Sequence, residues 1–338
     1  MVELKSLVEE HELSSEMKGL LGERCRLSEP LARRSSLRIG GPASWWIEPH
    51  TQDELINAVK LAARYDKPVY MVGLGSNTLF PDEGIDGVVV RLQGEFASWK
   101  VLESLPDGQE LVNVGAGCVN AHLVRGLLKQ GYVGAEFLML IPGCFGGAVV
   151  MNAGTRDAEL GAILEHVTML DTRTCEVLRL HRDELDVAYR HTNLPEGALV
   201  MSAEIRVHKG DVDAARTRAQ DDKERRNRTQ PYKLASVGST FANPEGDYAG
   251  RLIEAVGLKG NVCGGAQVSE LHANFFINQD NATARDFLTL MARARVRVKE
   301  QFATELRPEV QFVGFDGWSE LARLEALERQ SSNVSEDM

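Results

Sequence analysis

A chain of 338 residues is long enough for two domains or one elaborate one, and 43% apolar with 26% charged residues is ordinary globular usage that permits sizeable cores. A formal net charge of −11 argues against a broad nucleic-acid-binding surface, though it leaves room for a local basic pocket for phosphate. Five scattered cysteines without a CxxC pair fit a reducing compartment, not a disulfide framework or a zinc site. The acidic start reads as no signal peptide, and no run approaches the roughly 18 apolar residues of a membrane span.

In chain order, residues 1–30 read as an amphipathic helical lead-in, with Leu4, Leu7, Val8, Met17, Leu20 and Leu21 at helical spacing. Thr51-Gln-Asp-Glu54 is a capping-box pattern, and the helix behind it, with Leu55, Val59 and Ala62 on one face, should stop before Pro68. Val69-Tyr-Met-Val72 reads as a strand entering a glycine turn, and Gly87-Val-Val-Val90 as a second strand. Leu123, Leu127 and Leu128 predict a helix closed by Gly131. Strands at 167–170 and 199–201 flank a loop containing Tyr189. A strongly charged helix over 211–228 marks the expected boundary between a region 31–210 and a region 211–315. A helix from about Thr283 to Phe302 follows, its Arg293, Arg295 and Arg297 set to complement the helix dipole. The charged, Ser-rich stretch 316–338 reads as a peripheral tail with one Leu-bearing helical piece.

Six motifs carry possible chemistry. In Val72-Gly-Leu-Gly-Ser-Asn77, Gly73 and Gly75 let backbone amides approach an anion, with Ser76 and Asn77 adding side-chain donors. The motif is neither a GxGxxG fingerprint nor a P-loop, and by itself it reads equally as a plain turn. Ile141-Pro-Gly-Cys-Phe-Gly-Gly-Ala148, followed by Met151-Asn-Ala-Gly154, gives a contorted backbone suited to close approach of a flat cofactor, or a tight turn between strands. Tyr189-Arg190-His191-Thr192 places an arginine in a loop, either a surface feature or a bidentate carboxylate binder. Gln230-Pro231 leads to Gly238-Ser239, where a turn would expose the Ser239 hydroxyl; no GxSxG elbow supports a hydrolase. Gly264-Gly-Ala-Gln267 stands before His272-Ala-Asn274-Phe275. Finally, Leu306-Arg-Pro-Glu309-Val sets Glu309 before an apolar run, as a solvated charge or as a partly buried acid–base group.

Seven ordered matches, RIGGPA (38–43), GLGSN (73–77), IPGCFGGA (141–148), YRHT (189–192), QP…GST (230–240), GLKG…GGAQVSELHANFFIN (257–278) and LRPEV (306–310), resemble the UDP-N-acetylenolpyruvoylglucosamine reductase family across about 31–314. The resemblance implies an α+β protein. Its FAD-binding region is of the vanillyl-alcohol-oxidase (PCMH-like) type, with two α+β subdomains, and a smaller C-terminal α/β domain takes the substrate. Only about 28 residues separate Ser239 from Gln267, as in a subtype without the extra substrate-gripping loop. The implied reaction runs from NADPH through non-covalent FAD to the enolpyruvyl ether of UDP-N-acetylglucosamine, in peptidoglycan precursor synthesis, with a cytoplasmic monomer as the working form and neither nucleic acid nor membrane as partner.

By the same resemblance Ser239 is the proton donor, and Arg190 and Glu309 bracket the substrate carboxylate. Gly73, Gly75, Ser76 and Asn77 fall on the FAD pyrophosphate. Ile141, Pro142, Gly143, Gly146, Gly147 and Asn152 fall near the flavin. Tyr189, Arg226, Gln267 and Asn274 fall on the substrate or its diphosphate, with Arg225 and Arg228 as rivals of Arg226. Cys144-Phe145 is bulkier than the small residues usual in that turn. Ala235 and Val237 depart from the usual Pro and Ala before the Gly-Ser, which leaves the posture of Ser239 open. The alternatives are another flavin oxidoreductase of the same fold, such as an alcohol oxidase tethering FAD through a histidine that neither glycine loop has here, and a non-catalytic nucleotide-sugar binder.

Overall fold

The computed structural model describes residues 2–336, with side chains described over 8–330. The chain divides into two compact units: Met1–Glu29, Ser44–Leu74 and Asp86–Glu224 form the first, and Pro30–Ala43, Gly75–Ile85 and Arg225–Met338 the second. The second unit thus draws two segments from within 30–85, a region that in linear order belongs to the expected flavin-binding stretch 31–210.

The first unit opens on α1 (Val2–Leu21) and α2 (Gln52–Arg64). On α1 the buried stripe is Leu13, Met17 and Leu21, one face at i, i+4 and i+8; Val8 is exposed, and the side chains of Leu4 and Leu7 lie outside the described residues. The α2 N-terminus is capped at Thr51, whose Oγ1 accepts from Glu54 N–H at 3.3 Å. The Glu54 carboxylate accepts from His50 N–H at 2.7 Å and grips Arg24 at 2.6 Å through both oxygens.

A four-stranded sheet runs in the order Cys25–Pro30, Pro42–Ile47, Ile85–Val90, Val69–Met71, the last two strands parallel. A larger antiparallel sheet runs Val177–His181, Leu164–Asp171, Ala198–Lys209, Gln109–Gly115, Trp99–Ser104, and the short strand Tyr132–Val133 also pairs with Ala198–Lys209. Helices α3 (Asn120–Lys129) and α4 (Phe145–Val150) contribute Leu123, Leu127, Phe145 and Val149 to the core of this unit. A separate hairpin, Asp186–Ala188 with His191–Asn193, carries Tyr189 and Arg190 at its tip. The charged helix expected over 211–228 is α5 (Val212–Thr229), with only Ala215 buried.

The second unit has an antiparallel sheet ordered Ala235–Ser239, Phe275–Asn278, Ala266–Val268, Val262–Cys263, and a parallel pair, Thr78–Leu79 with Gln311–Phe312. Around them stand α6 (Ala249–Ala255), α7 (Ala284–Phe302) and α8 (Gly317–Glu336). Thr283 and Asp286 form a complete capping box on α7. Arg293 of α7 pairs with Glu328 at 2.9 Å and Arg295 with Glu325 at 2.5 Å, both on α8. Within the stretch read as a peripheral tail, Leu321 and Leu324 of α8 are buried in the unit's core. Among the described residues no helix is long and apolar enough to cross a membrane, and the five cysteines are free.

Candidate active site

The linear motifs gather into one cluster in each unit. In the first unit the cluster is built on α4. Its leading amides are already spent, since Phe145 N–H donates to Cys118 O and Gly146 N–H to Ala116 O, both at 2.8 Å. The glycines that precede and begin it differ in task. A Cβ on Gly146 would lie 2.7 Å from the Ala116 Cβ, so close packing explains that glycine, whereas a Cβ on Gly147 would meet nothing within 4 Å. Gly147 is therefore the open face. Gly143 has φ of 138°, a conformation that L side chains rarely adopt. The bulky Cys144-Phe145 pair fills the interior: Phe145 is fully buried, and the Cys144 Cβ would sit 3.1 Å from a Cβ on Gly73. Burial pushes the Cys144 thiol up and the Cys118 thiol up to about 11, so both are neutral packing groups.

One residue of this cluster escaped the sequence reading. Asn120, at the start of α3, is 1% exposed; its Nδ2 donates to Ile141 O at 3.1 Å while its Oδ1 has no hydrogen-bond partner. A buried amide oxygen without a donor is costly unless a ligand supplies one. The signal available in the sequence was a polar residue one turn before Leu123 and Val124 on an otherwise apolar face. This orphaned acceptor beside Ile141, together with the open Gly147, fits a flat cofactor bearing N–H or hydroxyl donors, as FAD does.

The hairpin tip belongs to the same cluster. Arg190 takes a left-handed φ of 56°, its Nη2 donates to Gly154 O at 3.0 Å, and its guanidinium lies 4.7 Å from the centroid of the exposed Tyr189 ring. Thr192 is buried and donates to Val149 O at 2.6 Å. Asn152, assigned to the cofactor by resemblance, has both side-chain groups engaged within the protein: Nδ2 donates to Ala188 O at 2.9 Å, and Oδ1 accepts from Gly161 N–H at 2.7 Å.

In the second unit the cluster forms where two chain segments run side by side. Ala242 N–H donates to Arg307 O at 2.9 Å and Glu309 N–H to Thr240 O at 2.8 Å, so Ser239 and Glu309 stand on adjoining segments. Asn77 ties in from the parallel pair: its Nδ2 donates to Glu309 O at 3.0 Å and its carbonyl accepts from Gln311 N–H at 3.0 Å. Gly75, at φ of 62°, passes so close that a Cβ would fall 2.1 Å from Arg34 O, and Ser36 Oγ bridges Gly75 O at 3.3 Å to Ser236 O at 2.6 Å. Only glycine fits at position 75. Ser76, Ser239 and Glu309 are half-buried.

Ser239 does not sit in the turn that the sequence suggested. It ends the strand Ala235–Ser239, after an irregularity in the pairing between Ser236 and Ser239 at which Gly238 takes φ of 80°. That bulge re-aims the chain just before the serine. Val237, the departure from the usual alanine, is buried in the core.

Among the proposed substrate ligands, Arg226 is half-buried while Arg225 and Arg228 are exposed, and its Nη1 is 3.4 Å from Tyr232 Oη. Gln267 donates to Gly260 O at 3.3 Å. Asn274 is 3% exposed and doubly bonded to the Phe241 backbone, at 3.0 Å through Oδ1 and 2.7 Å through Nδ2, so in this structure it splices strands. Burial lowers the His272 pKa, and its unprotonated Nδ1 accepts from Asn274 N–H at 3.2 Å.

Comparison with known proteins bears on the fold and the family. Residues 43–180 match the FAD binding domain model, and residues 230–313 match the C-terminal domain of UDP-N-acetylenolpyruvoylglucosamine reductase. A UDP-N-acetylenolpyruvoylglucosamine reductase of Anaeromyxobacter dehalogenans is 45% identical over 305 residues, 90% of each chain. That of Myxococcus xanthus is 40% identical over 303 residues, 89% of this chain and 96% of its own. The solved structure of the Thermus caldophilus enzyme superposes with a TM-score of 0.72 at 34% identity, over 85% of this chain and 97% of that one. The fold and the matched FAD-binding domain define an FAD-binding oxidoreductase of α+β build. The chain belongs to the UDP-N-acetylenolpyruvoylglucosamine reductase family, flavoproteins that draw hydride from NADPH.

Proposed function

We propose that the chain reduces the enolpyruvyl double bond of UDP-N-acetylenolpyruvoylglucosamine to give UDP-N-acetylmuramate, as a cytoplasmic monomer that does not insert in membranes, and that the residues assigned by resemblance carry the reaction. When bound, FAD supplies the hydride, which it receives from NADPH. The protein supplies orientation, charge and a proton. Hydride addition at the substrate methylene leaves an enolate-like anion at the carbon bearing the carboxylate, and that carbon then needs a proton. Ser239 Oγ is the donor in this reading. A serine hydroxyl is a weak acid in water, so it needs polarisation by a neighbour, and Glu309 on the adjoining segment is the neighbour that the backbone pairing supplies. Arg190 meets the substrate carboxylate and balances the growing charge.

The glycine loop from Gly73 to Asn77 takes the FAD pyrophosphate. Ile141, Pro142, Gly143 and Gly147 border the flavin, with Gly146 holding α4 in place and the Asn120 Oδ1 accepting a hydrogen bond from the cofactor. In this division 31–210 provides the flavin site together with Tyr189 and Arg190, and 211–315 the remaining substrate residues. Arg226 is the diphosphate contact favoured over Arg225 and Arg228, because its side chain is the one withdrawn from solvent.

The observation that carries the reading is the pairing of 240–242 with 307–309, which sets a serine hydroxyl and a carboxylate on neighbouring backbones. The test is the absorbance spectrum of the purified protein, followed by anaerobic NADPH and then the enolpyruvyl sugar. Flavin colour lost with NADPH and regained with the sugar supports the assignment. Bleaching that the sugar does not reverse discards the substrate, and absence of flavin after FAD is added discards the class.

A further inference from the structure

We propose that Asn152 is a positioning residue for Arg190, acting as a clamp that sets the height and aim of the Tyr189-Arg190 hairpin tip. The inference deepens the proposed function and rests on its assignment of Arg190 to the substrate carboxylate. It starts from the weakness of the hairpin itself. Only three residue pairs, Asp186 with Asn193, Val187 with Thr192 and Ala188 with His191, hold the two strands together. An isolated two-stranded hairpin is marginal in water.

The turn does not compensate. Two-residue hairpin loops are favoured when the first loop residue takes positive φ, which matches the twist of the strands. Here the left-handed conformation falls on Arg190, the second loop residue, and not on Tyr189. The tip must therefore be held from outside.

Three bonds tie it to the six-residue stretch at the end of α4 and just beyond. Thr192 Oγ1 donates to Val149 O, Arg190 Nη2 to Gly154 O, and Asn152 Nδ2 to Ala188 O. The Asn152 bond has the most leverage, because Ala188 is the last residue before the tip. Its amide is also locked in orientation. Oδ1 faces the Gly161 N–H, a donor only, and Nδ2 faces the Ala188 carbonyl, an acceptor only, so the flipped amide is excluded. Asn152 is 1% exposed and adopts φ of 38°, a conformation in which asparagine is tolerated better than most side chains. A Cβ on Gly161 would stand 2.6 Å from Val187 Cγ1 and 3.0 Å from Asn152 Oδ1, so hairpin, clamp and anchor fit with no spare volume. A guanidinium that must grip a carboxylate through two bonds tolerates little displacement, and a shift of about 1 Å can cost about 100-fold in rate.

The test uses the FAD-loaded, full-length enzyme carrying Asn152→Gly, Arg190→Ala, or both. Glycine accepts the left-handed backbone while removing both clamp bonds. Two quantities are read: the rate at which pre-reduced enzyme is reoxidised by the enolpyruvyl sugar, and hydrogen exchange of the backbone amides of 186–193. Asn152→Gly is expected to slow reoxidation about 10- to 100-fold and to speed exchange in the hairpin while exchange in 164–171 stays as it was. In the Arg190→Ala background the same substitution should slow reoxidation by less than about 2-fold, because residues acting as one unit are not additive. Equal slowing in both backgrounds overturns the inference. So does loss of FAD with hairpin exchange unaltered, which would make Asn152 a cofactor contact. If Arg190→Ala alone leaves reoxidation untouched, the reading of Arg190 fails, and the exchange data then decide the clamp by themselves.

Discussion

The chemistry assigned to this chain depends on single side chains whose tasks differ more than their names suggest. Ser239 has one job in the proposed reaction, delivery of a proton after hydride has reached the substrate. Ser239→Ala should therefore slow substrate reduction by orders of magnitude while flavin reduction by NADPH keeps its rate; stopped-flow absorbance of the two half-reactions distinguishes this from a role in both. Arg190 is asked for a planar, two-bonded grip. Arg190→Lys keeps the charge but loses the fork, so kcat/KM for the sugar should fall by at least about 10-fold, and near-normal turnover would remove the contact. Glycines divide in the same way. Gly146 is needed for packing against Ala116 and Gly75 for passage beside Arg34, while Gly147 opens on free space. The motif IPGCFGGA shows these positions side by side without saying which faces the ligand.

Among the elements, α8 is the one whose weight the sequence understated. Its residues are charged and Ser-rich, yet Leu321 and Leu324 face the core of the second unit, and the α7 arginines Arg293 and Arg295 are bound to its glutamates. Leu321→Ala should destabilise the protein by about 2–4 kcal/mol, read from the urea midpoint, because the methyls removed leave a cavity that packed neighbours fill only in part. A change within about 0.5 kcal/mol would mean that α8 is a peripheral appendage after all. The capping signals were more legible. Thr51 caps α2 where the pattern places it, and Thr283, at the expected start of α7, caps that helix, because a cap is a contact between residues three apart and needs no tertiary partner. The Glu54 carboxylate also takes Arg24, thirty residues earlier in the chain, a partner no local pattern announces.

For the molecule as a whole, that Arg24–Glu54 pair gives an acid-dependent share of stability. Hydrogen bonds from Arg24 hold the Glu54 carboxyl well below its usual range, at about 2. A carboxyl whose folded pKa lies below its unfolded value stabilises the fold above the unfolded pKa, and this contribution fades as pH falls through the folded one. Glu54→Gln should therefore cost about 1 kcal/mol at pH 7, a modest figure for a pair still partly in solvent. The difference from the parent should shrink between pH about 4.5 and 2. Urea titrations of both proteins at pH 7, 5, 4 and 3 check this, and a gap that does not change with pH would contradict it.

What the sequence determined by itself was of two kinds. Local elements were legible because helix caps, strand runs and glycine turns are written in residues a few positions apart. The family was legible because seven short motifs recur in order along most of the chain. The tertiary structure alone decided the rest. It sorted those motifs into two clusters, one per unit, threading Pro30–Ala43 and Gly75–Ile85 into the second unit although both precede most of the first. It bonded Asn152 to Ala188 and Asn274 to Phe241, and it exposed the unpaired oxygen of Asn120. The physical reason is the same in each case. A buried amide takes its task from whichever donor or acceptor packing brings within about 3 Å, and these partners lie between 21 and 36 positions away in the chain, beyond the reach of any periodicity.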